Sequence, residues 1–313
     1  MAANIPTFVL NNGIKMPSVG LGCWTEYSSH KRVYNMCKTA IKSGYRHFDT
    51  AEMYANEDSV GAAIRDSGLP REELFVTTKL NNDAHHTVRR AFDTSLKTLN
   101  VGYIDLYLMH WPQAARGGLF SAEQNPSFVE TWKEMEKLLD TGKVKAIGVS
   151  NFSIKTLSDL LPHAKVVPAV NQVEIHPCLP QEDLVQFCKE KGIVVEAYSP
   201  LGQGNALFMP HLEPIAKKYS ESLSKSITPA QIALSWGVQR GVAILPKSEN
   251  EGRIKANIDL VTLADEDMTA ISSIHKQKGM HRSLLGYHSS DGTVFGWSYE
   301  KLGWNMKKGG IVA

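Results

Sequence analysis

Four residues of this chain could together place a proton on a carbonyl oxygen. Tyr54 follows Asp49 by five positions, and Lys79 and His110 come later in the sequence. A phenol with its ordinary pKa of about 10 is a poor acid near neutral pH. A neighbouring ammonium group stabilises the phenolate and lowers that pKa. Lys79 could do this, with Asp49 holding the lysine charged and oriented. His110 could donate a hydrogen bond to the same oxygen while a second reagent attacks the carbon. Taken singly, each has an ordinary explanation: a loop Tyr packs, and an Asp or Lys at a strand end is solvated or caps.

Such a set works only if the fold brings it together. Strand-like and helix-like patterns alternate along most of the chain. Strands are expected at 19–23, 46–50, 74–79, 106–110, 146–150, 169–174, 194–199 and 242–246. They are apolar runs rather than strict alternations, as in parallel strands covered by helices. A helical stretch over 31–42 ends at Gly44. In 86–100, Val88, Ala91, Phe92, Leu96 and Leu99 fall on one helical face. Thr228-Pro229-Ala230-Gln231 reads as an N-cap, a first-turn proline and a capping-box glutamine, and that helix should stop at Gly241. Ahead of the first strand, TFVL, Asn12-Gly13 and IKMP predict a β-hairpin.

Eight β/α units in about 250 residues predict an α/β fold, a (β/α)8 TIM barrel. It would form one domain over residues 1–313, because no Pro/Gly-rich linker divides the chain. From about residue 276 no period is visible, and an irregular C-terminal tail is expected. Active sites of such barrels lie at the C-terminal ends of the strands. Polar residues collect there: Asp49, Lys79, His110, Ser150 with Asn151, Gln172 with Glu174, Tyr198 with Ser199, and Lys247 with Ser248. Seven polar strand endings in register point to a site.

Composition narrows the possible partners. With 34 Lys+Arg against 32 Asp+Glu in 313 residues, the net charge is +2, which gives no electrostatic case for nucleic acid or an acidic membrane. No apolar run approaches the ~18 residues of a membrane span. Cys23, Cys37, Cys178 and Cys188 form no C-x-x-C pair and read as reduced thiols. MAANIPTFVL lacks the pattern of a signal peptide. A cytoplasmic protein, monomeric or weakly dimeric, with a small-molecule substrate is expected.

The motifs around these residues resemble those of the aldo-keto reductases. They are GYRHFDTA (44–51) with Tyr54, TTKL (77–80), LMHWP (108–112), GKVKAIGVSNF (142–152), NQVEIHP (171–177), AYSPLG (197–202) and LPKS (245–248). The resemblance spans about residues 7–275. It implies NAD(P)H-dependent carbonyl reduction, with Asp49, Tyr54, Lys79 and His110 as the catalytic tetrad and Tyr54 as proton donor. It also implies a cofactor site. Ser150, Asn151 and Gln172 would hold the nicotinamide carboxamide, and Tyr198 would stack on the ring. Ser199, Leu201 and the loop after them would follow the pyrophosphate. Lys247, Ser248 and Arg253 would meet the 2′-phosphate of NADPH, and Asn257 the adenine. Clustered Lys and Arg suit a phosphate dianion. Ala256 departs from the pattern, standing where many relatives have Glu, so NADH could also serve.

Other readings account for less. Gly20-Leu21-Gly22 and Gly202-Gln203-Gly204 lack the third glycine of a dinucleotide fingerprint. Tyr34 and Lys38 mimic the pair of short-chain dehydrogenases without a nucleotide fold before them. His85-His86 has no further ligand at metal spacing, so no metal is expected. Glu174 and Glu196 could form a glycosidase pair, but that leaves Tyr54, Lys79 and the Lys247/Arg253 cluster without a role. A non-catalytic, cofactor-binding accessory barrel would not need a complete tetrad.

For the substrate pocket the candidates are Trp24 and Trp111, beside Tyr54 and His110, with the aromatics Tyr287, Phe295, Trp297, Tyr299 and Trp304 of the tail. The tail lacks the Arg-Phe-Asn-type segment of many sugar reductases. Its GWSYEKLGW is similar to the tail of fungal D-galacturonate reductases, which implies reduction of D-galacturonate to L-galactonate. A general aldose or glyceraldehyde reductase, or an NADP-linked glycerol dehydrogenase, is the alternative. A uronate carboxylate would want a cation, and Arg116, His281, Arg282 and His288 are available.

Overall fold

The computed structural model describes residues 5–25, 30–116, 119–120, 126–205 and 207–313. Its centre is an eight-stranded sheet in which neighbouring strands are parallel and follow chain order. We label the strands β1 (Leu21–Gly22), β2 (His47–Asp49), β3 (Phe75–Leu80), β4 (Ile104–Met109), β5 (Val144–Ser150), β6 (Val170–Glu174), β7 (Val194–Tyr198) and β8 (Val242–Leu245). The last strand meets the first. Val19 bridges Ile244 in parallel, Ile244 N–H donates to Ser18 at 2.8 Å, and Gly20 N–H donates to Ile244 at 2.9 Å. The sheet is a closed barrel, and helices connect its strands, as expected. The strand bounds agree with the sequence reading to within two residues, and β1 is shorter than predicted at both ends.

What looked like uniform apolar runs hides an alternation. Phe48, Val76, Tyr107, Ile147, Val149, Val173 and Val195 pack outward against the helices. The inward positions are apolar only at the bottom, where Phe75, Leu106, Leu108, Ala146, Val170 and Ala243 form a second cluster with Leu10 and Met16. Those last two residues come from the predicted hairpin, Thr7–Val9 paired with Lys15–Pro17. The hairpin closes the N-terminal end of the barrel, with Asn12 donating to Lys145 at 3.0 Å and Asn11 to Pro168 at 3.1 Å. One step up each strand, the same inward face carries His47, Asp49, Lys79, Gln172 and Glu196. Side chains of a strand alternate faces with a period of two, so Asp49, Lys79 and Gln172 of the polar endings noted in the sequence share the barrel's interior.

The helices follow their local signals. His30–Lys42 buries Val33, Met36, Cys37, Ala40 and Ile41. Val88–Leu99 buries Val88, Ala91, Phe92 and Leu99 as predicted, and a 3-10 segment, Asn82–Thr87, precedes it. Thr228 caps Pro229–Gln239 in a full capping box with Gln231. No helix among the described residues is long and apolar enough to cross a membrane.

The tail is more regular than expected. Thr293–Val294 pairs with Trp297–Ser298, Met306–Lys307 pairs with Ile311–Val312, and Tyr299–Leu302 forms one helical turn. Turns at Gly296, Gly303, Gly309 and Gly310, all at positive φ, make these elements too short for a sequence period to show. A two-stranded ribbon, Ala115–Arg116 with Leu119–Phe120, lies in the loop after β4 and was not foreseen.

Candidate active site

Asp49 ends β2, and its Oδ1 accepts from Lys79 Nζ at 2.6 Å. Lys79 is completely buried and also donates to the Thr50 carbonyl at 2.9 Å. An ammonium group has three hydrogens, so one donor remains. Nζ also lies over the Tyr54 ring, 5.1 Å from its centroid. Tyr54 closes a one-turn 3-10 helix, Glu52–Tyr54, just beyond β2. His110 follows β4 with its ring 5.7 Å from that of Tyr54, edge to face. The four sequence candidates are therefore brought together at one end of the barrel.

Electrostatics refines the sequence reading. Lys79 does pull the Tyr54 phenol down, but burial pushes it up further, and the net is above its ordinary value. The lowering by Lys79 read from the sequence is present, but desolvation of the phenolate outweighs one ammonium already shared with Asp49. Tyr54 therefore stays protonated, and Lys79 lies where it could stabilise a phenolate. Burial also disfavours charge on Lys79, but Asp49, Tyr54 and Glu196 outweigh it and the net is raised. Burial, then the Lys79 charge, hold His110 well below its ordinary value, so the imidazole is neutral. Its Nδ1 is buried without a partner, which favours the tautomer carrying hydrogen on Nε2.

Asn56 was missed by the sequence reading. It is 1% exposed, accepts from Thr50 Oγ1 at 2.6 Å and donates to the Cys23 carbonyl at 2.8 Å. It ties the Tyr54 turn to the ends of β1 and β2. Only its place two residues after Tyr54 could have suggested this.

The proposed nicotinamide-binding side chains form a connected ledge beside the tetrad. Ser150 Oγ donates to the Gln172 carbonyl at 2.8 Å. Asn151, at φ 65°, donates to the His110 carbonyl at 2.9 Å. Gln172 Nε2 donates to Asp49 Oδ2 at 2.8 Å. Tyr198 gives its hydroxyl to Asn151 Oδ1 at 2.6 Å and touches the Tyr287 hydroxyl at 3.1 Å. Ser199 and Leu201 follow on the half-buried loop after β7, described except at residue 206.

Lys247 and Ser248 follow β8. Arg253 Nε donates to Ser248 Oγ at 3.2 Å, in the first turn of the helix Glu251–Ile258, where Asn257 is buried. Arg32 joins this cluster through Glu249, with two bonds of 2.8 Å, and Lys247 holds the same carboxylate at 2.8 Å. Arg32 was also missed, because 217 residues separate it from Glu249. Three cations, a serine hydroxyl and a helix N-terminus fit a phosphate group.

Among the pocket candidates, Trp24 is 47% exposed and Trp111 only 5%. Tyr287, Phe295 and Trp304 pack on Trp111 at ring distances of 5.4, 4.8 and 6.1 Å. Trp297 and Tyr299 are instead buried anchors of the tail. Of the candidate cations, Arg116 is exposed on the ribbon. His281 lines a cavity of about 370 Å³ that runs from Tyr198 to the C-terminus and does not include Tyr54 or His110. His288 is held by Tyr299 at 3.0 Å, and burial keeps it below its ordinary value. Arg282 Nε reaches the Ser283 carbonyl at 3.4 Å.

The decoys resolve into packing. Tyr34 and Lys38 both bond Asp66, and His85 is buried against Thr131. Glu174 is saturated by four donors: His176 Nε2 at 2.8 Å, Ser283 Oγ at 2.6 Å, Leu284 N–H at 2.9 Å and Tyr287 OH at 3.0 Å. Neither it nor the fully buried Glu196 is open to a glycoside.

Comparison with known proteins agrees with this geometry. The chain belongs to the aldo/keto reductase family, whose model matches residues 18–276, and it is an oxidoreductase of that class. A glycerol 2-dehydrogenase (NADP(+)) of Saccharomyces cerevisiae is 49% identical over 294 residues, covering 87% of this chain and 92% of that protein. A D-galacturonate reductase of Hypocrea jecorina is 42% identical over 296 residues, covering 90% and 94%. The crystal structure of a Bombyx mori aldo-keto reductase in complex with NADP aligns with a TM-score of 0.80 at 38% identity, over 87% of this chain and 93% of that one.

Proposed function

We propose that this chain uses NADPH to reduce the carbonyl group of a small polyhydroxylated aldehyde or ketone, with Tyr54 as proton donor. The observation that carries the reading is the buried Lys79, bonded to Asp49 at 2.6 Å and lying over the Tyr54 ring. Ser150, Asn151 and Gln172 would hold the nicotinamide carboxamide, Tyr198 would stack on its ring, and Ser199 and Leu201 would lie along the pyrophosphate. Lys247, Ser248 and Arg253 would take the 2′-phosphate, with Asn257 near the adenine. The bound coenzyme supplies hydride. The chain's own residues manage the proton. His110, neutral, donates a hydrogen bond that orients and polarises the carbonyl oxygen. Tyr54 gives its proton to that oxygen, and Lys79 compensates the phenolate while Asp49 keeps the ammonium in place.

A neutral polyol-type substrate is favoured by the aromatic wall around Trp111 and by the 49% identity to a glycerol 2-dehydrogenase. D-galacturonate, the substrate that the sequence resemblance implied first, becomes the second reading. Its support is the GWSYEKLGW segment and the 42% identity to a D-galacturonate reductase. Measuring NADPH oxidation with glyceraldehyde, dihydroxyacetone, D-xylose and D-galacturonate at equal concentrations separates the two. A preference for the uronate would transfer the assignment to it. In the same assay Tyr54→Phe should lower kcat about 10²–10⁴-fold, the usual contribution of a general acid, with NADPH affinity little changed. Turnover at the unmutated rate would remove Tyr54 from its role.

A further inference from the structure

The coenzyme reading gives Lys247, Ser248 and Arg253 to a 2′-phosphate, but it leaves Glu249, which sits among them, without a use. A carboxylate has the wrong charge for an anion site, yet this one holds two of the cations. Glu249 Oε1 accepts from Lys247 Nζ at 2.8 Å and from Arg32 Nη2 at 2.8 Å. Its Oε2 accepts from Arg32 Nε at 2.8 Å. Two cations on one carboxyl group keep it ionised at neutral pH.

Separate elements bring these groups together. Arg32 lies in the first turn of the helix His30–Lys42. Lys247 and Glu249 lie in the loop between β8 and the helix Glu251–Ile258. Ser248, between them, is buried. Its Oγ accepts from Arg253 Nε at 3.2 Å and from the Asn250 N–H at 3.1 Å. A hydroxyl also has one hydrogen to give, so Ser248 keeps a donor for an incoming oxygen. Arg253 spends its Nε on that hydroxyl and forms no ion pair among the described residues. Ser248 and Arg253 are thus open to a phosphate, whereas Lys247 and Arg32 are already engaged.

The engagement of Arg32 decides between two roles for Glu249. A carboxylate could hold the cations in place for a phosphate and stay bound to them itself. That role needs Arg32 to keep its best donors for the phosphate. Instead Nε and Nη2 are both on Glu249. They form the two-pronged edge with which a guanidinium grips a carboxylate or a phosphate, and one edge cannot grip both. A 2′-phosphate can use it only by displacing Glu249, whose negative charge then lies beside the phosphate dianion. NADH carries a hydroxyl at that position and displaces nothing.

We propose that Glu249 is a specificity-determining residue: its carboxylate competes with the 2′-phosphate for Lys247 and Arg32, and so narrows the preference for NADPH over NADH. The inference rests on the coenzyme reading above. The three side chains are between 30% and 50% exposed. Solvent screens pairs of this kind, so the competition is moderate in size.

The test is fluorescence titration with NADPH and with NADH, in the absence of substrate, for the unmutated protein and for Glu249→Gln. The amide keeps the size of the side chain and one acceptor oxygen but removes the charge. The Kd for NADPH should fall about three- to tenfold, the range expected for two partly exposed ion pairs. The Kd for NADH should stay within about twofold, since no pair is exchanged. Adenosine 2′,5′-bisphosphate lacks the nicotinamide and should tighten by the same factor as NADPH, a readout independent of the tetrad and of turnover. In the Arg32→Ala background the gain from Glu249→Gln should shrink, because only Lys247 is left to be freed.

Weaker binding of NADPH by Glu249→Gln overturns the proposal and makes Glu249 a holder of the cations. Unchanged NADPH binding, or an equal gain for both coenzymes, overturns it as well. A gain undiminished by Arg32→Ala overturns the displacement on which it stands. Lys247→Met, titrated in parallel, keeps the two readings distinct. Equal losses for both coenzymes in that variant sink the 2′-phosphate site. A selective loss of NADPH there, with no change in Glu249→Gln, sinks only the role of Glu249.

Discussion

Lys247 is held by a carboxylate, and this shapes how its removal should read out. Its ammonium bonds Glu249 at 2.8 Å. Hydrogen bonds from Arg32 and then Lys247 hold that carboxyl down at about 2, so Glu249 is ionised at every working pH. A 2′-phosphate would compete with Glu249 for both cations. Lys247 is 39% exposed, and solvent screens such a pair. Lys247→Met should therefore weaken NADPH by only about tenfold, ~1.4 kcal/mol, and leave NADH nearly unchanged. Fluorescence titration with both coenzymes measures this, and equal losses would remove Lys247 from the phosphate site. At this scale the sequence was most legible where each residue sits in a local motif. Asp49 and Lys79 lie in β2 and β3, where the period-two rule turns them inward, and Tyr54 and His110 follow just beyond β2 and β4. Asn56 and Arg32 lie outside the motifs: Asn56 reaches back to the Cys23 carbonyl, and Arg32 meets Glu249 across most of the chain. The balance of burial against Lys79 at Tyr54 depends on how far the phenol is desolvated, a quantity that spacing does not encode.

The strands owe their legibility to punctuation. Turn residues, caps and apolar runs mark each β/α unit, and the Thr228 capping box forms as its residues suggest. β1 is the exception, shorter than predicted because Val19 and Gly20 serve the seam that closes the barrel. Gly20 has no side chain for a steric reason. A Cβ there would lie 2.6 Å from Leu245 Cδ2 and 2.8 Å from His47 Nδ1. Its N–H also carries a seam hydrogen bond to Ile244 at 2.9 Å. Gly20→Ala should cost about 1–3 kcal/mol, the usual range for overpacking a filled core. Urea unfolding would show it as a lower midpoint. An unchanged midpoint would mean that Leu245 and His47 yield at no cost.

The tail and the barrel become one molecule largely through Glu174. This carboxylate is buried at the end of β6 and accepts from four donors, three of them on the tail: Ser283, Leu284 and Tyr287. Burial pushes its carboxyl up, but His176, Ser283 and Leu284 outweigh that, and the net lies below the ordinary value. Tyr287 carries the attachment further, touching the Tyr198 hydroxyl at 3.1 Å and the Trp111 ring at 5.4 Å. The tail therefore reaches both Tyr198 and Trp111 from one anchor. The sequence offered no period from which to read this, because its elements are two-residue strands and one helical turn held by contacts to distant β6. Glu174→Gln keeps the volume but replaces an acceptor oxygen by an N–H₂ group. The amide oxygen can keep His176 and Leu284, which share Oε1, while Ser283 and Tyr287, which share Oε2, must turn to accept. Ser283 Oγ already accepts from the Leu285 N–H, so its own hydrogen is left buried without a partner, which costs about 1–3 kcal/mol. Because three of the four partners lie in residues 283–287, that cost should fall on tail docking rather than on the barrel. Amide exchange over 283–287 should accelerate about tenfold to a hundredfold, since each 1.4 kcal/mol is a factor of ten. Amides of β3 and β4 should exchange as before, and the substrate KM should rise as Tyr287 loosens from Trp111. Unchanged exchange over 283–287 would show that the aromatic contacts to Trp111 hold the tail without Glu174.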